Sequence, residues 1–136
     1  MIDGLVFPNV RECLTDLIDG STHLGETVNF VWWMEADPKT GAPAGPFPLV
    51  QVIAKPGTEG YVDRVDPVML ECYSPGTSAI EILESIKASI CGTDIDTPHG
   101  FLDSIRVTST PEDGYYPSDT LNKAVATFDV VSRPIN

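Results

Sequence analysis

Cys91 and His99 could serve as a nucleophile and its general base, a pairing that many hydrolases use. Cys91 stands at the end of a helical pattern, however, where the negative end of the helix dipole raises a thiol pKa and keeps it unreactive. His99 sits in Pro98-His99-Gly100, a loop with no catalytic motif around it. Both read as structural residues. The pairs Asp94 with Asp96 and Asp63 with Asp66 could take a divalent cation, but neither has the calcium-loop spacing, with a glycine at the sixth place and a distal Glu. With 20 acids in 136 residues, close carboxylates arise by chance, and a solvated acidic surface is the simpler reading. There is no glycine-rich phosphate loop, no zinc quartet and no serine elbow. The sequence predicts no catalytic residue, no metal site and no cofactor, and hence not an enzyme.

The elements that would position these groups follow from periodicity. A first helix runs from about Pro8, which suits a first turn, to Asp19. Val10, Cys13, Leu14, Leu17 and Ile18 share one face, and Gly20 closes it. A strand from about Thr27 to Glu35 is apolar on both faces from Phe30 onward, so it should be covered on both sides, or on one side by another chain. Asp37 to Pro48 carries four Pro and two Gly and reads as an extended loop. At 12 residues it falls among the loops that are usually functional or mobile. Leu49 to Lys55 is a second strand, Pro56 to Gly60 a turn, and about Tyr61 to Tyr73 a third strand with Pro67 at a bulge or edge.

Ser78 and Glu81 spell a capping box ahead of a second helix. Its stripe is Ala79, Ile82, Leu83, Ile86 and Ile90, and Gly92 ends it. Thr93 to Asp103 reads as a loop, Ser104 to Thr110 as strand four, and Pro111, Asp113, Gly114, Pro117 and Asp119 as turn residues. Strand five, about Lys123 to Arg133, sets Ala124, Ala126, Phe128 and Val130 on one face. The predicted fold is α+β: a mixed or antiparallel sheet of about five strands with two helices packed on one side, in the order α-β-β-β-α-β-β.

The length fits one domain over 1–136, and 42% apolar with 21% charged residues suits a packed globule. A net charge of −12 argues against a nucleic-acid or anionic-membrane clamp, which needs clustered Lys and Arg. The N-terminus has an acid, Asp3, where a secretory signal carries basic residues, and no membrane segment is expected. Three cysteines, an odd number without short pairing, predict no disulfide framework and a reducing compartment.

The aromatics say more. Trp32 and Trp33 are adjacent, so on a strand their rings point to opposite faces, and one is left outside the core unless a helix covers it. Large aromatics outside a core mark interfaces. Tyr115-Tyr116, in a proline-flanked loop, is either a rim contact or packing of that loop onto its own sheet.

Read in order, the Pro-rich segment Asp37-Pro38-Lys39-Thr40-Gly41-Ala42-Pro43 runs into Phe47-Pro48-Leu49-Val50-Gln51-Val52. Arg64-Val65-Asp66 leads through Val68-Met69-Leu70-Glu71-Cys72-Tyr73 to a Gly76-Thr77 helix start. Tyr115-Tyr116-Pro117 then precedes a last strand ending Val130-Val131-Ser132-Arg133. Over nearly the whole chain this order and spacing resembles the tail terminator proteins of long-tailed phages, particularly those infecting actinobacteria.

The resemblance implies a virion protein of the tail and neck, present in the host cytoplasm during assembly. Its subunits would form a homo-hexamer that caps the tail tube, stops polymerisation of the major tail (tube) protein and offers the docking surface for the head-tail connector or stopper. The family carries no catalytic signature and no cofactor. Six copies at −12 each would give an acidic lumen through which genomic DNA passes without specific binding. The contact residues expected with neighbours, tube or connector are Trp33, Met34, Pro38, Pro43, Pro46, Phe47, Tyr115 and Tyr116. Two alternatives stay open: another neck protein, which gene order distinguishes, and a small monomeric or dimeric ligand-binding α+β domain.

Overall fold

The computed structural model describes residues 4–41, 43–60, 62–116, 118 and 120–135. Helix α1 (Val10–Ile18) starts at Asn9, whose side-chain oxygen accepts the Arg11 and Glu12 amides at 3.0 and 3.3 Å. Pro8 therefore precedes the helix rather than opening it; an Asn side chain satisfies orphan donors that a proline cannot. Gly20 follows at φ +77°, the left-handed terminator expected there. A small hairpin, β1 (Thr22–His23) with β2 (Glu26–Thr27), leads to β3 (Asn29–Val31), β4 (Leu49–Ala54), β5 (Thr58–Glu59) and β6 (Arg64–Pro75). Helix α2 (Ala79–Ile90), β7 (Gly92–Thr97), β8 (Gly100–Gly114) and β9 (Leu121–Ser132) complete the chain.

The class is α+β, as expected, but among the described residues the main sheet has seven strands rather than about five. Its path is β3-β4-β6-β9-β8-β7, with β5 paired to β6, and every pair except β3–β4 is antiparallel. Residues 93–103, expected as a loop, form most of the β7–β8 hairpin. The polar run Thr93, Asp94, Asp96 disguised β7, which is mostly exposed at the sheet margin. The strand expected from Thr27 to Glu35 stops at Val31, where Trp32 turns to hydrogen-bond α1 instead of continuing the ladder. The capping box does not form. The Ser78 hydroxyl bonds Ser74 Oγ at 2.9 Å and makes no bond to the first-turn amides.

Tyr61, the expected start of strand three, and the turn residues Pro117 and Asp119 lie outside the described residues. Pro67 sits inside β6, opposite Asp129 of β9, and its carbonyl accepts the Lys55 amide at 3.0 Å. On that side the neighbouring edge is interrupted between β4 and β5, so the missing proline N–H breaks no ladder there.

Alternate residues of the sheet build the core, as a period of two requires. Val50 and Val52, Val68, Leu70 and Cys72, and Ala124, Ala126, Phe128 and Val130 form one cluster with the stripes of both helices, joined by Leu102 and Ile105 of β8, which a register shift between them keeps on the same face. Phe128 is fully buried within it. Helix α1 touches both β3 and β7, the two terminal strands of the sheet path. The sheet therefore curls, and α1 lies across its opening. Along the strands, the β6–β9 ladder from Arg64↔Ser132 to Pro75↔Leu121 spans roughly 36 Å and gives the molecule two distinct ends.

Candidate functional site

The end marked by Pro75 and Leu121 gathers the expected contact residues. The Pro-rich segment is not an extended loop: it folds back on itself. The Gly41 amide bonds the Asp37 carbonyl at 2.8 Å, the Ala44 amide bonds the Glu35 carbonyl at 2.9 Å, and Ala36 bridges to Pro43. Asp37 Oδ1 accepts the Lys39 amide at 2.8 Å, the local turn that an Asp before a proline favours. At the base, Asn29 holds the segment twice, its amide to the Pro48 carbonyl at 3.0 Å and its side chain to the Pro46 carbonyl at 3.3 Å. The half-buried Phe47 ring covers Gly45, where an added Cβ would come within 3.1 Å of it.

Met34, Pro43 and Tyr116 meet, with Glu35, Ala36 and Gly41, around a cavity of about 220 Å³. Tyr116 also packs edge-to-face on Tyr73 of β6, with ring centroids 5.4 Å apart. The tyrosine turn and the Pro-rich segment thus form one surface, anchored to the sheet through Tyr73. Pro38 and Tyr115 project from it, Tyr115 at 88% exposure. Trp33, 69% exposed, lines a second cavity of about 360 Å³ with Phe30, Val31, Trp32, Glu35, Gly45 and Leu49. Glu35 is common to both. The two tryptophans divide as expected, although both lie past the end of β3: Trp32 packs against the core and Trp33 stays outside.

Sequence reasoning missed the support beneath this surface. Lys123 Nζ pairs with Glu71 at 2.8 Å and lies 5.6 Å from the Tyr73 ring centroid. Burial pushes the Tyr73 hydroxyl pKa up, and the bond to Glu71 raises that of Lys123. Only the pairing of β6 with β9 brings these residues side by side, at Tyr73↔Lys123.

At the far end, near Arg64 and Ser132, Leu5, Val6, Val62, Phe101 and Ile135 are exposed. The Ile135 amide bonds the Val6 carbonyl at 2.7 Å and joins the two terminal segments there. Arg64 stacks on Phe7 at 4.4 Å and pairs with Glu59 at 2.6 Å.

The thiols and imidazoles fall elsewhere. Cys91 and His99 flank β7, whose six residues separate them by roughly 20 Å, so they form no nucleophile–base pair. The Cys91 thiol pKa is raised, but burial is the leading cause, while Lys87 and a Val107 backbone contact lower it. Cys13 and Cys72 are buried, and burial pushes Cys72 up to about 12. His99 bonds Asp16 at 2.6 Å.

His23, which carried no sequence signal, is buried with Nε2 2.9 Å from Ser21 Oγ and Nδ1 2.8 Å from Ser85 Oγ. The Ser21 hydroxyl donates to the Ile18 carbonyl at 2.5 Å, so it accepts from Nε2–H and leaves Nδ1 to accept from Ser85. This chain braces the β1–β2 hairpin against α2. Among the described residues, no group of three or more His, Cys, Asp or Glu is placed to hold a metal ion, and no helix is long and apolar enough to cross a membrane.

No protein-family model matches the chain, and none of the curated proteins matches it significantly in sequence.

Proposed function

We propose that the chain is a structural joining subunit of a long-tailed phage, a tail-terminator-like protein. It assembles as a homo-hexameric ring that caps the tail tube and receives the head connector. The supporting observation is the convergence of the Pro-rich segment and the Tyr115-Tyr116 turn at one end of the sheet. The opposite end carries its own exposed apolar side chains. A subunit with an apolar patch at each end of a ladder roughly 36 Å long is built to bridge two partners. The charge of −12 suits a ring whose lumen DNA must traverse without sticking.

The test is complementation in the parent phage with the segment from Asp37 to Pro48 shortened to a tight turn. The monomer stays folded, because both helix stripes lie elsewhere. Tails of uncontrolled length or tailless heads are the expected result. Normal tails would make the segment a plain connector.

A second reading, a small ligand-binding α+β domain, is favoured by the cavity beside Trp33, whose volume of about 360 Å³ lies in the small-molecule range.

A further inference from the structure

The larger cavity has an aromatic wall and an acidic rim. Phe30 and Leu49 are buried, Trp33 stands open to solvent, and Glu35 completes the lining. The Glu35 carboxylate has no ion-pair or hydrogen-bond partner among the described residues. An apolar occupant would desolvate that carboxylate without compensating it. An anion would meet a chain at −12. A cation with a flat, weakly hydrated face satisfies both the indole and the carboxylate. The chain itself carries an example next door, where the Arg11 guanidinium stands 4.8 Å from the Trp32 ring centroid.

We propose that this cavity receives an arginine side chain presented by an extended segment of a partner protein, its guanidinium stacked on Trp33 and paired with Glu35. The proposal rests on the reading of this end as a joining surface and names the chemistry of what it joins. Arginine is favoured over lysine because its planar fork stacks on an indole and pairs with a carboxylate at the same time. The volume, about 360 Å³, exceeds what one side chain needs and leaves room for the backbone that carries it. Because Trp33 and Glu35 are both exposed, the ion pair would weaken in high salt while the stacking on the indole would change less.

The experiment is a tryptophan-fluorescence titration of the full chain at low salt with three capped tripeptides, Gly-Arg-Gly, Gly-Lys-Gly and Gly-citrulline-Gly. Citrulline keeps the shape of arginine and removes its charge. The arginine peptide is expected to saturate, the lysine peptide to bind more weakly, and the citrulline peptide to bind roughly tenfold more weakly. Glu35→Gln should lower arginine affinity to the citrulline level, and Trp33→Ala, followed by isothermal titration calorimetry because it removes the reporter, should abolish binding; both positions are exposed, so folding is retained. Equal binding of citrulline, an unchanged affinity in Glu35→Gln, or no response to the arginine peptide at roughly 50 mM would each overturn the proposal. If the peptide fails while the shortened Pro-rich segment still blocks tail joining, the occupant is wrong and the joining reading stands. If the peptide binds while shortened tails are normal, the joining reading falls and the arginine site stands alone.

Discussion

Asp16 and His99, 83 residues apart in the chain, meet at 2.6 Å across the opening of the curled sheet. The next residue back on α1, Thr15, accepts a hydrogen bond from Trp32 Nε1 at 2.9 Å. Two consecutive helix residues therefore hold opposite margins of one sheet, the β7–β8 turn on one side and the segment after β3 on the other. Glu12, one helical turn from Asp16, lies 3.7 Å from His99 and adds to the negative field there.

The two histidines respond to pH in opposite senses. The bond to Asp16 raises the His99 pKa, so the folded chain holds that proton more tightly than the unfolded one. The stability it adds is fully present below about 6.5 and is lost as pH rises through the raised value. Burial lowers the His23 pKa, so its neutral form is favoured in the fold, and stability falls as pH drops below about 6.5 through the lowered value. An NMR titration should show one ring titrating above 6.5 and one below. His99→Gln should remove the higher one and flatten the alkaline limb of the stability profile. Two rings titrating together near 6.5 would contradict both contacts.

Gly100, in the β7–β8 hairpin, passes close to Pro8, just ahead of α1. A Cβ added there would lie 2.5 Å from Pro8 Cβ, and its φ of +149° is one that L side chains rarely adopt. Gly100→Ala should cost about 1–3 kcal/mol in chemical denaturation. An unchanged midpoint would show that the Pro8 segment is not packed there.

Tyr116→Ala should release the Pro-rich segment from the sheet without unfolding the core. The lost edge-to-face contact with Tyr73 is worth about 0.5–1.5 kcal/mol. Limited proteolysis should cut the segment around Lys39 faster, with little change in the global denaturation midpoint. Phe128→Ala, by contrast, should cost about 3–5 kcal/mol, since that ring is fully buried in the core. Similar effects from both would mean that the surface is part of the core.

The two helix stripes and the inward face of β9 were legible because each repeats its apolar residues at the period of its element. Where several elements share one job, the sequence was silent. Strand β7 is polar because it lies at a margin that α1 covers in part, so no alternation marked it. Ser78 has the right neighbours for a capping box, yet Ser74 lies close enough to take its hydroxyl. The site residues were individually visible as proline and aromatic clusters. Their meeting was not, because it depends on Tyr73, reached only through the fold of β6 beside Tyr116. Glu35, shared by both cavities, had no local motif to single it out.

The most direct test of the proposed joining role is negative-stain imaging of the purified protein mixed with tail tubes assembled from the tube protein of the phage proposed to encode it. The account predicts six-fold rings seated on one end of each tube and tubes that no longer elongate once capped. Tubes that bear no rings and keep growing in excess protein would contradict it.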